Sequence, residues 1–211
     1  MRAYATLAIA LLLALGGCAA APASEAPASA APAHPFNVLG REDAPVTIIE
    51  FTDLQCPYCA RFATQTFPEL RRHYIDTGKV RYASRDLPLP SHAYAVTAAV
   101  AARCAGEQGR FWEFREALFA AQSTLGPGTY AELAGKLGLD AEKFAACRKD
   151  GRQAANVRAD LALARANGIT ATPSLIVGRL VDGEFLGETI EGAKPYAVLA
   201  AKIDALLEAT R

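Results

Sequence analysis

The sequence predicts an α/β fold whose sheet is interrupted by an inserted block of helices. An apolar run at residues 46–52 is followed by a helical pattern and a second strand-like run at residues 79–84, the β-α-β order that opens a parallel sheet. Residues 91–167 are almost entirely helical in pattern, with short glycine interruptions. A β-hairpin and an amphipathic helix then end the chain.

The first strand and helix flank the most informative stretch, Cys56-Pro57-Tyr58-Cys59. Val46–Thr52 has the continuous apolar pattern of a buried strand. The helix is expected to begin at Pro57, because proline suits the first helical turn, where its missing N–H costs nothing. The helical pattern continues to about Ile75, and Pro68 is expected to interrupt it.

The later elements follow from equally local patterns. Residues 79–84 alternate between apolar and charged side chains, as a half-buried strand does. Ser91 is a candidate N-cap for the first helix of the insertion. Residues 175–178 and 180–186 predict the two strands of the hairpin, and Ala193 to Ala209 predicts the last helix.

The composition excludes several classes of function. The chain has 211 residues, of which 52% are hydrophobic, so one globular domain with room for an insertion is expected. Lys and Arg together number 22, as do Asp and Glu, and this balance gives no reason to expect nucleic-acid binding. Three histidines without HExxH-type spacing do not predict a dedicated metal enzyme.

The N-terminus predicts export. Residues 1–17 resemble a signal peptide whose apolar region is too short to span a membrane. They lead into Leu15-Gly16-Gly17-Cys18, which resembles a bacterial lipobox, so that Cys18 would be lipidated and become the mature N-terminus. An ordinary signal peptide cleaved near the following alanines is the alternative. Ala19, where an Asp would resemble an inner-membrane retention signal, favours the outer membrane.

An Ala/Pro/Ser-rich stretch over residues 18–35 predicts a flexible tether between the anchor and the folded domain. The domain would therefore lie on the periplasmic side of the membrane. Exported proteins work in an oxidising compartment, where dithiols and disulfides exchange.

A CxxC at the junction of strand and helix predicts redox chemistry. Cys56 would lie where unpaired backbone N–H groups and the helix dipole favour a thiolate, so it is the candidate nucleophile. Cys59 lies about one turn into the helix and would resolve a mixed disulfide formed at Cys56. A permanent Cys56–Cys59 disulfide is the alternative, although so short a loop would constrain little chain entropy.

Four segments within about residues 36–207 carry a family resemblance: Glu50 to Cys59, Leu87 to His92, Cys104 to Trp112, and Gly168 to Pro173. They resemble the DsbA-like branch of the thioredoxin superfamily, which comprises exported bacterial thiol–disulfide oxidoreductases. The resemblance implies a thioredoxin-like fold in two parts, residues 36–90 and 168–211, with a helical insertion at 91–167. It also implies a monomer without a cofactor, exported protein substrates, and a membrane redox partner.

The resemblance assigns roles to residues outside the CxxC. Thr172-Pro173 resembles the cis-proline loop, in which the Thr172 backbone would pair with an extended substrate; a trans proline that ends a strand is the alternative. Glu50 resembles a buried proton relay to Cys59, unless it is a carboxylate at a solvent-facing strand end. Asp53 has the character of a turn residue, and His92 that of a residue that caps or packs.

The remaining cysteines, Cys104 and Cys147, are expected to form a structural disulfide, as in several DsbA-like proteins. Its loop of roughly 40 residues would contribute about 3–4 kcal/mol. A four-cysteine metal site shared with Cys56 and Cys59 is the alternative, which the scattered spacing of the second pair disfavours.

The direction of the redox reaction stays open at this stage. Tyr58 cannot supply the positive charge that a His contributes in the best-known family members, which predicts a weaker oxidant. Thr172 before the proline is more similar to the isomerase and reductase branches. The alternatives are a reductase or isomerase kept reduced by a thiol donor, and a chaperone that binds a soft metal through the CxxC.

Overall fold

A computed structural model describes residues 37–209. The predicted signal peptide, Cys18 and the tether lie outside the described residues. The described part contains one five-stranded sheet with the strand order β1-β3-β2-β4-β5. The strands are β1 Val38–Leu39, β2 Val46–Thr52, β3 Val80–Asp86, β4 Ser174–Val181 and β5 Glu184–Glu191.

The predicted α/β fold with a helical insertion is confirmed. Strands β2 and β3 are parallel, as the β-α-β order requires, whereas β1, β4 and β5 pair with their neighbours in antiparallel fashion. The sheet is therefore mixed. The sequence did not predict β1, because a strand of two residues has too short a pattern to recognise.

The helix after the CxxC is broken near Pro68, as expected. It consists of α1 Pro57–Gln65, α2 Phe67–Leu70 and a π-helical turn at Arg71–Ile75. The break lies at Thr66, whose N–H still bonds to the Phe62 carbonyl while its hydroxyl donates to the Lys194 carbonyl at 2.9 Å. The proline thus lies in the first turn of a new short helix, and the Thr66 hydroxyl connects the break to the segment before the last helix.

The insertion contains five α-helices and a 3-10 turn at Gln122–Thr124 within the described residues. The helices are α3 Ala95–Gly106, α4 Phe111–Ala120, α5 Pro127–Lys136, α6 Ala141–Lys149 and α7 Arg152–Ala166. The interpretation of Ser91 as an N-cap is wrong, since α3 begins four residues later. The preceding residues form turns instead, in which His92 N–H bonds to the Leu89 carbonyl and Ala95 N–H to the His92 carbonyl.

The hairpin is present, but its turn is displaced from the predicted position. The turn residues are Asp182 and Gly183, both with positive φ (51° and 86°), as a two-residue hairpin turn of the Asp-Gly type requires. The Asp-Gly pair was the better signal in the sequence. The last helix, α8 Tyr196–Glu208, packs Leu199 and Ile203 into the core beside the sheet.

The insertion and the sheet meet at a buried cluster of charges. Arg103 of α3 donates through Nε to Asp86 Oδ2 of β3 at 2.5 Å and also pairs with Asp160 of α7. Arg85 NH1 lies 3.0 Å from Asp160 Oδ1. Buried charges are tolerated when they are paired in this way, so the cluster holds both parts of the chain in one arrangement.

No helix within residues 37–209 is long and apolar enough to cross a bilayer.

Candidate active site

The CxxC lies at the end of the central strand. Cys56 is the N-cap residue of α1, with an extended backbone (φ −74°, ψ 124°), and Pro57 follows in the first turn. Strand β4 pairs with β2 so that Ser174 lies opposite Phe51. This register brings the residues just before β4, Thr172 and Pro173, next to the cysteines.

Cys56 contacts one backbone acceptor and several donors, and the donors favour its thiolate. Its Sγ lies 3.6 Å from the Thr172 carbonyl oxygen, to which the thiol form donates. A hydrogen bond from the Cys59 thiol, assisted by the backbone N–H groups of Cys59 and Tyr58, lowers the pKa of Cys56 to about 5, although burial opposes the shift. These N–H groups are the unpaired donors of a helix start, so the predicted electrostatic advantage of this position is realised.

Cys59 has the opposite character. Both cysteines are free thiols, but Cys59 is completely buried. The Asp53 N–H donates to its Sγ at 3.4 Å. Burial, with a further contribution from Cys56, raises the pKa of Cys59 well above its ordinary value. Two cysteines three residues apart therefore differ strongly in acidity.

The peptide bond between Thr172 and Pro173 is cis, the geometry that the resemblance implied. Proline has no N–H, so this position presents no backbone donor to the sulfurs. The Thr172 carbonyl is the backbone group that faces Cys56.

Glu50 is buried, which excludes the alternative of a solvent-facing carboxylate. Tyr82 donates to its Oε2 at 2.7 Å, and Arg115 NH2 lies 2.9 and 2.6 Å from Oε1 and Oε2. Burial and the charge of Glu50 raise the pKa of Tyr82, which keeps its hydroxyl as the donor. The sequence analysis missed Arg115, because it lies 65 residues away in the insertion.

Two residues treated as structural in the sequence analysis are in contact. His92 Nδ1 lies 2.7 Å from Asp53 Oδ2, which also accepts from the Leu89 N–H at 2.7 Å. Asp53 Oδ1 accepts from the Gln55 N–H at 2.7 Å, as in an Asx turn. The interpretation of Asp53 as a turn residue is therefore confirmed, and His92 fastens that turn.

Gln122 was missed altogether. Its Nε2 donates to the carbonyl oxygens of Leu54 and Cys56, both at 3.0 Å. The side chain thus connects the 3-10 turn of the insertion to the backbone of the CxxC. No local signal in the sequence identifies such a contact across 66 residues.

Cys104 and Cys147 are joined by a disulfide that connects α3 to α6, with an S–S distance of 2.07 Å and a Cα–Cα distance of 5.7 Å. Their sulfurs are bonded to each other rather than arranged with Cys56 and Cys59 around a metal. Among residues 37–209, no group of three or more His, Cys, Asp or Glu side chains is placed to hold a metal ion.

The chain is similar to proteins of known family and structure. A family model described as Thioredoxin matches residues 34–204. α-DsbA1 of Wolbachia pipientis is a similar solved structure, with a TM-score of 0.71 and 28% identity, covering 81% of this chain and 89% of that one. Oxidised BdbD of Bacillus subtilis has a TM-score of 0.70 and 28% identity, over 82% and 92% of the two chains.

Curated relatives fall into two groups. Disulfide bond formation protein D of Bacillus subtilis is 30% identical in an alignment of 175 residues that covers 73% of this chain and 75% of the relative. Na⁺/H⁺ antiporter NhaA 3 of Salinispora tropica is 37% identical over 169 residues, or 79% of this chain. The chain spans about a quarter (25%) of the length of that antiporter. The family match and the inserted helices place the chain in the thioredoxin family, in its DsbA-like branch.

Proposed function

We propose that this protein is a thiol–disulfide oxidoreductase that introduces or exchanges disulfides in exported proteins through Cys56 and Cys59. One observation carries the proposal: Cys56 is the N-cap of α1 and accepts a hydrogen bond from the Cys59 thiol, whereas Cys59 is fully buried, so the pKa of Cys56 falls to about 5 and that of Cys59 rises. A structural disulfide needs no such asymmetry, whereas exchange needs one sulfur that attacks or leaves readily and one that stays protected.

The proposed reaction transfers two electrons. A substrate thiolate attacks the Cys56 sulfur of the Cys56–Cys59 disulfide, and Cys59 leaves as a thiolate that takes up a proton. A second thiolate of the same substrate then attacks the substrate sulfur of the mixed disulfide, and Cys56 leaves as a thiolate. The substrate gains a disulfide and the CxxC is reduced. The low pKa of Cys56 makes it a good leaving group in the second step.

Thr172 and Pro173 would present the substrate. An extended peptide that pairs with the backbone of Thr172 would bring its cysteine to Cys56, whose Sγ is 3.6 Å from the Thr172 carbonyl oxygen. Glu50 is proposed as a proton relay to the buried Cys59; its own oxygens bond to Tyr82 and Arg115.

The proposal includes a location and partners. A signal peptide, lipidation at Cys18 and a tether over residues 18–35 would keep a monomeric domain on the periplasmic side, with the outer membrane favoured. A membrane redox partner would reoxidise the CxxC, and no bound cofactor is proposed.

Trapping the intermediate tests the cysteine roles. Cys59→Ala should accumulate disulfide-linked complexes with exported proteins through Cys56, because the resolving thiol is gone. The matched control is the double variant Cys56→Ala and Cys59→Ala, which should form none. An equal yield of complexes from both variants would contradict the assigned roles.

The direction of electron flow is tested in cells by alkylating free thiols before lysis. A mostly oxidised Cys56–Cys59 pair is expected for a protein that donates disulfides. A mostly reduced pair would instead assign the chain to the reductase or isomerase role.

A further inference from the structure

Asp53 contacts both cysteines through its backbone, although it lies outside the CxxC. Its N–H donates to Cys59 Sγ at 3.4 Å, and its carbonyl oxygen accepts from the Cys56 N–H at 3.0 Å. The residue is 1% exposed. A single residue of the turn before α1 is therefore in contact with the backbone of one cysteine and the sulfur of the other.

The carboxylate of Asp53 is held by donors from two segments. Gln55 N–H belongs to the same turn, whereas Leu89 N–H and His92 Nδ1 belong to the segment after β3, and all three contacts are 2.7 Å long. These contacts restrain the Asp53 side chain. The peptide unit that carries its N–H is also held by the Leu87 N–H, which donates to the Thr52 carbonyl oxygen at 2.7 Å.

His92 differs from its partner in exposure. Its side chain is 21% exposed, whereas that of Asp53 is fully buried. Removing the imidazole would take one donor from a buried carboxylate oxygen without opening the core. Hydrogen bonds to ionised groups are the stronger ones, so the loss would loosen the turn more than the loss of an ordinary surface contact.

We infer that His92 is a positioning residue for the resolving step, acting through Asp53, whose N–H it holds against Cys59. This inference rests on the proposed function. In the step, Cys59 gives up its proton through the relay proposed for Glu50, and its thiolate attacks the Cys56 sulfur of the mixed disulfide. The new S–S bond forms as the bond from Cys56 to the partner breaks, and the partner leaves as a thiolate.

A preorganised N–H donor favours the charged form of a sulfur over its neutral form. The Asp53 N–H therefore matters most in the step in which Cys59 becomes negative. Cys56, by contrast, also receives hydrogen bonds from Cys59 and from the first turn of α1. The first step of the exchange should thus depend far less on His92 than the second.

Two-phase kinetics separate the steps. Reduced protein mixed with 5,5′-dithiobis(2-nitrobenzoate) releases one thionitrobenzoate when Cys56 attacks and a second when Cys59 resolves the mixed disulfide. We expect His92→Leu to slow the second phase about tenfold, the size expected for a weakened hydrogen bond to a charged group. The first phase should stay within about twofold of the unaltered protein.

Matched variants distinguish positioning from a general disturbance. His92→Asn retains an N–H donor near the position of Nδ1 and should restore most of the second phase. His73→Leu removes another histidine that faces a carboxylate, with Nε2 3.4 Å from Glu69 Oε2, and should leave both phases unchanged. Asp53→Asn should also slow the second phase. Adding His92→Leu to Asp53→Asn should slow it little further, because both changes disturb the same His92–Asp53 contact.

The outcomes are distinguishable. An unchanged second phase in His92→Leu, or an effect that multiplies with that of Asp53→Asn, overturns this inference while the proposed function stands. Absence of the second phase in the unaltered protein overturns the proposed function, and the inference with it.

Discussion

The two pairs of cysteines in the described structure lie in one hydrophobic cluster but differ in chain separation and in polar contacts. Cys56 and Cys59 lie three residues apart at a helix start, where backbone N–H groups and the neighbouring thiol lower the pKa of one sulfur. Cys104 and Cys147 lie 43 residues apart and join two helices within a hydrophobic core. The difference teaches that chain separation decides how much a disulfide stabilises a fold, whereas polar surroundings decide whether it exchanges.

The largest expected effect comes from removing the long-range pair. Cys104→Ser with Cys147→Ser should lower the free energy of unfolding by about 4 kcal/mol, because the disulfide closes a 43-residue separation. Thiol exchange at the CxxC should continue at temperatures below the lowered Tm. Denaturant unfolding followed by fluorescence measures the change.

The control for this comparison is Cys56→Ser, which should abolish exchange and change the stability of the reduced protein little at pH 5. Loss of exchange in the Cys104/Cys147 variant while it is still folded would contradict the separation of roles.

At pH 7, the contribution of the Cys56 thiolate to stability comes next in size. The pKa of Cys56 falls from its ordinary value of 9.0 to about 5 on folding, so its thiolate stabilises the reduced protein fully above pH 9. This contribution is lost as the pH falls from 9 to 5. The raised pKa of Cys59 acts only above its ordinary value, since below it the thiol is protonated in both states.

Unfolding of the reduced and oxidised proteins at pH 5, 7 and 9 measures this contribution. The reduced form should gain stability relative to the oxidised form as the pH rises, because the oxidised form has no thiolate at this position. A difference that is constant across the range would show that Cys56 has an ordinary pKa.

Tyr58 should set the reduction potential. Its side chain is 57% exposed beside Cys56 and has no positive charge, and the Cys56 pKa of about 5 lies between those typical of thioredoxin (about 7) and DsbA (about 3.5). The potential should accordingly lie between about −270 and −120 mV. Tyr58→His should make the protein more oxidising, by about 30 mV for each unit by which the pKa falls.

Equilibration with glutathione measures both potentials, and Tyr58→Phe serves as the uncharged control. If the His and Phe variants had the same reduction potential, the charge at position 58 would not explain the change.

The smallest expected effect concerns Gln122, which connects the insertion to the CxxC backbone. Gln122→Ala should reduce stability by about 1 kcal/mol, the usual size for one hydrogen-bonding side chain, and should shift the potential by a few tens of mV at most. Gln108→Ala is the control, because Gln108 bonds to the backbone of Asp140 inside the insertion. It should affect stability without changing the potential.

Local patterns in the sequence predicted the elements that carry the site. The bounds of β2, the start of α1 and the break near Pro68 followed from short-range rules, because each depends on residues within one strand or one turn. The fold class followed from the order of these elements. The turn of the hairpin was misplaced because the apolar run continues past Gly178, although Asp182-Gly183 carried the stronger signal.

The polar contacts of the site were not predictable in the same way. Arg115 reaches Glu50 across 65 residues, Gln122 reaches Cys56 across 66, and His92 reaches Asp53 across 39. Each contact depends on how the insertion docks on the sheet, which no pattern within a window of residues encodes. A buried acid such as Glu50 does indicate that a partner exists, but not which residue supplies it.

The buried charge cluster between sheet and insertion has a consequence for engineering the chain. A fragment cut at residues 91 and 167 would keep the Arg103–Asp160 pair but would separate Arg103 from Asp86 and Asp160 from Arg85. Removing one partner of a buried ion pair costs about 3–5 kcal/mol. The insertion is thus not a portable module. A chimera that receives the helical insertion of another relative would have to import an arginine at the position of Arg103, or replace Asp86 at the same time.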